Sequence, residues 1–255
     1  MTPPLDRRRL LALFAGTLAF PAACSENPAT GRRQLALVSD EMLAQMAQTA
    51  WADILRQTPR APDAGLQRRL EAIGARVVSA AGVAQGDWEF VVFDSPEINA
   101  FVLPGGKVGF FRGLMDLADD DAAIAAVMGH EVGHVSARHA AERMTQQLAV
   151  QAGMTVASIA LSESLGQYAD EAAAALGAGL IYGVVLPYSR THEFEADRLG
   201  VRYMADADYP PTAALTFWQA MIARNADRPQ PLEFLSTHPA DEDRLAALQA
   251  EIAKL

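Results

Sequence analysis

His130-Glu131-Val132-Gly133-His134, inside the apolar stretch that runs from Ala122 to His139, is the segment from which the rest of the chain can be read. On an α-helix, residues four apart stand one above the other on the same face. His130 and His134 therefore offer two imidazoles to one cation, and Glu131 projects beside them as a general base for water. The same five-residue pattern, with two free positions, also arises on unrelated helices, so its surroundings have to support it. They do. Asp119-Asp120-Asp121 places acids at the positive end of a helix dipole, and no proline interrupts Ala122 to His139. Ile124, Val127, Met128 and Val135 recur at helical spacing, which predicts a largely buried helix. Gly133 leaves room for a neighbouring chain, and His139, five residues past His134, is expected at the surface.

A catalytic metal site needs a third protein ligand and an open position. The chain has five histidines (His130, His134, His139, His192 and His238) and a single cysteine, Cys24, so a Cys-rich metal site and an internal disulfide are both excluded. Glu193, 59 residues after His134, is the best third ligand. Asp197, one helical turn on, suits a carboxylate that accepts a hydrogen bond from a ligand histidine and fixes its tautomer. Glu195 reads as part of a solvated face.

Outward from this centre, Asp40 to Gln57 reads as a helix with Met42, Met46, Ala50 and Ile54 on one face, and Ala64 to Ala84 as a second helix with Leu66, Leu70, Ile73, Val77 and Val78 inward. Trp88 to Phe93 has strand composition, and Ala100 to Leu103 and Lys107 to Phe111 form a hairpin about Pro104-Gly105-Gly106. A small antiparallel sheet follows, and Ala100, Phe101, Val102 and Leu103 are the candidate edge strand for pairing with an extended substrate. Helices are expected over Ala140 to Leu165, Glu171 to Val185, Thr212 to Arg224 and Glu242 to Lys254. The apolar run Ala172 to Leu186 is 15 residues, short of the roughly 20 that a membrane span requires.

Residues 1–23 read as a signal peptide: Asp6-Arg7-Arg8-Arg9, an apolar run, then Pro21-Ala22-Ala23 before Cys24. The lone cysteine falls where a lipoprotein signal places its lipidated residue, although Pro21 stands where such signals usually carry Leu. Residues 24–39 are expected as an extended N-terminal arm and 40–255 as a single domain. The formal net charge is −10, and loss of residues 1–23 leaves 18 basic against 30 acidic residues. That balance argues against nucleic acid or anionic lipid head groups as the main partner.

Taken in order, His130-Glu131-x-x-His134 and Ser189-Arg190-x-x-Glu193-x-Glu195-Ala196-Asp197 resemble the HtpX-like and CAAX prenyl protease superfamily of gluzincin metallopeptidases. Asn99-Ala100-Phe101-x-Leu103-Pro104-Gly105-Gly106 with Arg112-Gly113-Leu114 is similar to its edge-strand segment, and Thr237-His238-Pro239 with Arg244 to its C-terminal segment. Asn27-Pro28-x-Thr30-Gly31 looks like the start of its exported lipoprotein branch. The resemblance implies a mainly helical α+β zincin-like domain, with one Zn2+ held by His130, His134 and Glu193 and with Glu131 as base. It implies Asp197 behind the ligands and His238 near the metal, stabilising the tetrahedral intermediate or regulating access. No span follows the leader in this reading, which sets aside prenylated CAAX proteins. The expected function is a periplasmic zinc endopeptidase, lipid-anchored to the outer membrane through Cys24, acting on unfolded or misassembled envelope proteins. The alternative is a chaperone-like binding factor that keeps the metal site and rarely cleaves.

Overall fold

The computed structural model describes residues 24–83, 87–118, 120–165, 186–226 and 228–255. The expected leader (1–23) and the expected helix Glu171 to Val185 lie outside the described residues. In chain order the elements are β1 (Cys24–Glu26), β2 (Arg33–Leu35), α1 (Asp40–Gln57), α2 (Ala64–Ala80), β3 (Glu89–Phe93), β4 (Ala100–Leu103) and β5 (Lys107–Phe111). Then follow α3 (Arg112–Leu117), α4 (Asp121–Ser136), α5 (His139–Leu165), α6 (Leu186–Asp206), α7 (Thr212–Asn225), α8 (Glu233–Thr237) and α9 (Glu242–Ile252). This is the expected α+β class, mainly helical with small sheets.

The helices begin where their caps dictate. Ser39 accepts from the Met42 N–H ahead of α1, Asp63 from Gly65 and Leu66 ahead of α2, and Asp120 from Ala123 ahead of α4. Each side-chain cap satisfies a backbone donor that has no partner inside the helix, a contribution of about 1 kcal/mol. On α2 the inward stripe is as expected, with Leu70, Ile73, Val77 and Val78 buried. The α1 face is not. Leu43, Ala47 and Trp51 are buried, while Met42 and Met46 are exposed. The two stripes are neighbours around the helix, and Trp51 decides between them. Its ring packs edge-on against Phe93 and its Nε1–H donates to Glu89 at 2.8 Å, so burying it anchors the adjacent stripe.

The three-stranded sheet has the order β3-β5-β4. The β4–β5 hairpin is antiparallel, with Ala100 opposite Phe110 and Leu103 opposite Lys107, and it closes through Gly105 and Gly106 at φ of 82° and 78°, a left-handed region that glycine enters freely. The β3–β5 pairing is parallel, so the sheet is mixed rather than wholly antiparallel. After β3 the chain crosses to the far side of β5 and lays β4 at the edge. The opposite edge of β3 is met by the segment before α2, where the Ala61 N–H donates to the Val92 carbonyl.

Residues 24–39 do not run out as an extended arm. They fold back as the β1–β2 hairpin, with Cys24 opposite Leu35. Asn27 Oδ1 accepts from the Ala29 and Thr30 amides, and Gly31, at φ 70°, completes the reversal. The hairpin then serves the end of α4: Asn27 Nδ2 donates to the Ser136 carbonyl and Gln34 Nε2 to that of Ala137. Helix C-terminal carbonyls lack partners within the helix, so two buried side-chain amides supply them.

Helix α4 is buried on nearly all sides, and its most extensive neighbour is α6. Their contact is made by small residues. A Cβ on Gly133 would lie 2.6 Å from the Ala196 carbonyl oxygen, one on Gly129 2.8 Å from that of Gly200, and one on Gly200 2.8 Å from the His130 nitrogen. Gly133 does leave room for a neighbouring chain, at a helix-propensity cost of roughly 1 kcal/mol. The close approach is what carries Glu193 to within reach of His130 and His134.

Candidate metal centre

Four side chains on three segments converge: His130 and His134 from α4, Glu193 from α6 and His238 from the loop after α8. One donor atom from each lies within 4.8 Å of all the others. His130 Nε2 is 3.1 Å from His134 Nε2 and 3.2 Å from Glu193 Oε2, and His134 Nε2 is 3.4 Å from Glu193 Oε1. For a tetrahedral ion with bonds of about 2.05 Å, the edge of the coordination tetrahedron is about 3.3 Å. The donor set therefore fits a small divalent cation. A second observation agrees: Glu193 Oε1 and Glu131 Oε1 are buried with no hydrogen-bond partner among the described residues, an arrangement that is costly unless a cation is to hand. Burial raises the Glu193 carboxyl, yet its hydrogen bonds to His130 and His238 outweigh that and hold it well below the ordinary range.

Asp197 stands behind His130. Its Oδ1 lies 2.8 Å from His130 Nδ1, and Arg244 from α9 grips the same carboxylate through Nε at 2.6 Å and Nη2 at 2.9 Å. Burial acts to raise Asp197, but the Arg244 charge wins and the carboxyl is lowered. His130 is pulled down by burial and then raised to about 9 by Asp197 and Glu193. An ionised Asp197 obliges His130 to present Nδ1–H to it and its bare Nε2 to the cation.

Glu131 is buried beside the donors, and burial raises its proton affinity above that of an ordinary carboxylate. The Val102 backbone acts on the same carboxyl in the opposite direction, and β4 packs against α4 beside the centre. Next to His134 is a cavity of about 200 Å³ lined by Leu43, Val102, Pro104, Val135 and Ala141 among others. His238 completes the cluster. Its Nδ1 lies 3.1 Å from His130 Nε2 and 3.2 Å from Glu193 Oε2, and its Nε2 is 3.3 Å from Glu131 Oε1.

Two expectations fail here. His139 is 1% exposed rather than superficial, and Glu195 is turned inward rather than solvated. The geometry of the α4–α5 junction is the cause. Helix α4 stops at Ser136, and Arg138 takes φ 55°, a left-handed conformation uncommon outside glycine. The reversal swings His139 back under His134, where a continuing helix would have carried it away. His139 Nδ1 lies 2.8 Å from His134 Nδ1, and His139 Nε2 lies 3.0 Å from Glu195 Oε2. Arg32, from the N-terminal hairpin, donates to Glu195 at 2.7 Å and to Glu142 at 2.7 Å. His192 stacks on His139 with ring centroids 4.0 Å apart and reaches Glu142 at 3.0 Å. Burial lowers His139 to about 4. Burial would raise Glu195, but its bonds to His139 and Arg32 bring it down to about 2. Reading along the chain missed Arg32, Glu142 and His192. The available signal was that the chain has only five histidines, and the fold draws all of them to one place.

Fold and site together define a metallopeptidase domain with an H-E-x-x-H helix and a distant glutamate. The profile of Peptidase family M48 matches residues 64–252, and the chain belongs to that family. Among curated proteins it is similar to the mitochondrial metalloendopeptidase OMA1 of Schizosaccharomyces pombe, 32% identical over 87% of this chain and 64% of the relative. The OMA1 protein of Saccharomyces cerevisiae is 30% identical over 98% of this chain and 75% of the relative. The beta-barrel assembly-enhancing protease of Escherichia coli K12 is 31% identical over 74% of this chain and 39% of the relative. The chain thus spans less than two thirds of the length of several curated relatives it matches.

Proposed function

We propose that this chain is a zinc-dependent endopeptidase in which His130, His134 and Glu193 hold the metal and Glu131 is the general base. The observation that carries the reading is a buried, proton-attracting Glu131 set against a donor cluster with tetrahedral spacing. A cation held there supplies Lewis acidity, lowering the pKa of a coordinated water and polarising the scissile carbonyl. Zinc is the ion of choice because two imidazoles and one carboxylate, with one open position, are its usual catalytic donor set.

The protein groups divide the remaining work. Glu131 takes a proton from water and passes it to the leaving amine. Asp197, clamped by Arg244, keeps His130 in the ligating tautomer. Ala100 to Leu103 of β4, the edge strand of its sheet, pairs with an extended substrate and holds its backbone across the centre. His238 presents Nδ1 at the fourth corner of the donor set. Water and substrate need that corner, so His238 swings aside for catalysis, and from there it is placed to stabilise the oxyanion. That geometry also favours a second reading, a binding factor that holds its clients with the centre closed and seldom cuts.

We further propose that residues 1–23 direct export, that Cys24 carries a lipid anchor, and that 40–255 act as one catalytic unit in the bacterial envelope. Unfolded or misassembled envelope proteins are the proposed substrates. The leader pattern supports export, and the likeness to a protein named for β-barrel assembly supports envelope quality control. Among the described residues no helix is long and apolar enough to cross a membrane.

The test is metal content together with cleavage of an unfolded substrate such as casein, with and without chelator. Parent protein is expected to bind one zinc per chain and to cleave. Glu131→Gln should keep the zinc and lose about 10²–10⁴-fold in activity. Zinc without chelator-sensitive cleavage would sink the enzyme reading in favour of the binding factor.

A further inference from the structure

His134 faces the cation with Nε2, so its other nitrogen, Nδ1, must carry a hydrogen and needs an acceptor. At His130 that acceptor is the Asp197 carboxylate, whereas at His134 it is another imidazole. The acceptor is His139 Nδ1, 2.8 Å away. Two ring nitrogens at that distance form a hydrogen bond only if one is bare, so His139 must hold its own proton on Nε2. That nitrogen points to Glu195 Oε2 at 3.0 Å, which is the acceptor it then requires. Glu195 in turn accepts from Arg32 Nε at 2.7 Å and Nη2 at 3.0 Å. Each link forces the protonation of the next, and the four side chains admit one consistent assignment.

We propose that His139, Glu195 and Arg32 are positioning residues for the metal ligand His134, forming a relay by which the N-terminal hairpin sets that ligand's tautomer and ring orientation. The inference rests on the metal reading above. It extends the site to Arg32, which lies outside the 64–252 stretch matched by the family profile. The cluster is not itself a second metal site. The Arg32 guanidinium already sits between the Glu142 and Glu195 carboxylates, 2.7 Å from each, and supplies the positive charge that a cation would bring. Nor is the relay a surface pair that thermal motion would average away, since His139 is 1% exposed and the side chain of Glu195 11%. The stacked ring of His192 leaves the His139 plane little freedom to turn.

The experiment titrates the metal-free full chain with zinc against a chromophoric chelator, so the readout is affinity and not turnover. His139→Phe keeps an aromatic ring against His192 and removes both nitrogens. It is expected to bind zinc about 10–100-fold more weakly, the usual effect of removing a partner behind a metal ligand. His139→Gln restores an acceptor and a donor with similar separation and should recover most of that loss, a rescue that a merely space-filling role would not require. Glu195→Gln and Arg32→Met should weaken binding in the same direction and by less. A His139→Phe chain with parental circular dichroism and zinc affinity within twofold of parent overturns the relay and leaves the metal reading standing. A parent chain that binds no zinc overturns both. If His139→Phe does not fold, long-range ¹H–¹⁵N correlation spectra of the zinc-loaded parent decide. Nδ1–H on His134 with Nε2–H on a neutral His139 is expected, and His139 protonated on Nδ1 overturns the proposal.

Discussion

The two donor-cluster histidines of α4 are supported by two constructions that differ in depth and in origin. Behind His130 stands Asp197, gripped by Arg244 from the C-terminal helix, and the arginine is 3% exposed. Behind His134 stand His139 and then Glu195, gripped by Arg32 from the N-terminal hairpin, whose side chain is 24% exposed. Each histidine thus ends at a carboxylate clamped by an arginine, one directly and one through an inserted ring. The difference teaches that the same electrostatic requirement can be met from either end of the chain. The shorter, drier construction should be the more costly to disturb, because a buried charge left alone has no water to turn to.

That contrast sets the largest expected effect. Arg244→Met leaves Asp197 and Glu193 buried without their cation and should destabilise by about 3–5 kcal/mol in denaturant unfolding. Arg32→Met should cost less, about 1.5–3 kcal/mol, the range for hydrogen bonds to charged groups, since water can reach that side. Equal losses would erase the asymmetry.

The common wall between the two constructions is the α4–α6 contact, and it offers the next test. Gly200→Ala places a methyl 2.8 Å from the His130 nitrogen, and Gly133→Ala places one 2.6 Å from the Ala196 carbonyl oxygen. The opposing atoms are backbone and cannot swing away, so each should cost about 1–3 kcal/mol and weaken metal binding on both sides at once.

Acid should separate the two sides at smaller amplitude. Glu195 is held at about 2 against an ordinary 4.5, so its contribution is complete above pH 4.5 and is lost as pH falls through 2. His139 is lowered to about 4 from 6.5; the unfolded chain takes up that proton first, and stability falls as pH drops from 6.5 towards 4. In metal-free protein, His139→Gln should flatten the upper of these windows and Glu195→Gln the lower, as read by thermal unfolding against pH. Unchanged slopes in both variants would remove the His134 side as a source of acid sensitivity.

The smallest effect belongs to α1, whose Asp40 pairs with Arg138 at the reversal that turns His139 inward. Exposed Met42→Ser should stay within about 0.5 kcal/mol.

Much of the centre was legible before any coordinates. The i, i+4 histidines and the glutamate between them depend on helix periodicity, and the N-cap Asp120 on cap chemistry, both of which are local. Glu193 and Asp197 were legible for a similar reason, since one helical turn separates a ligand from the carboxylate behind its neighbour. The β4–β5 hairpin announced itself through Pro104-Gly105-Gly106. The face of α1 was not legible, because two adjacent stripes are both apolar and only the partner surface around Phe93 selects between them. The parallel pairing of β3 was likewise invisible, since strand composition carries no direction.

The sequence by itself determined the H-E-x-x-H helix and the Glu193–Asp197 pair one helical turn apart, because each is written in spacings shorter than a few helical turns. Only the tertiary structure decided what His139, Glu195 and Arg32 do. Their meeting depends on a left-handed residue at Arg138, on a hairpin folded back over 100 residues of chain, and on glycines that let two helices touch. None of these has a local periodic signature, because the energies that select them arise only when the distant surfaces are in contact.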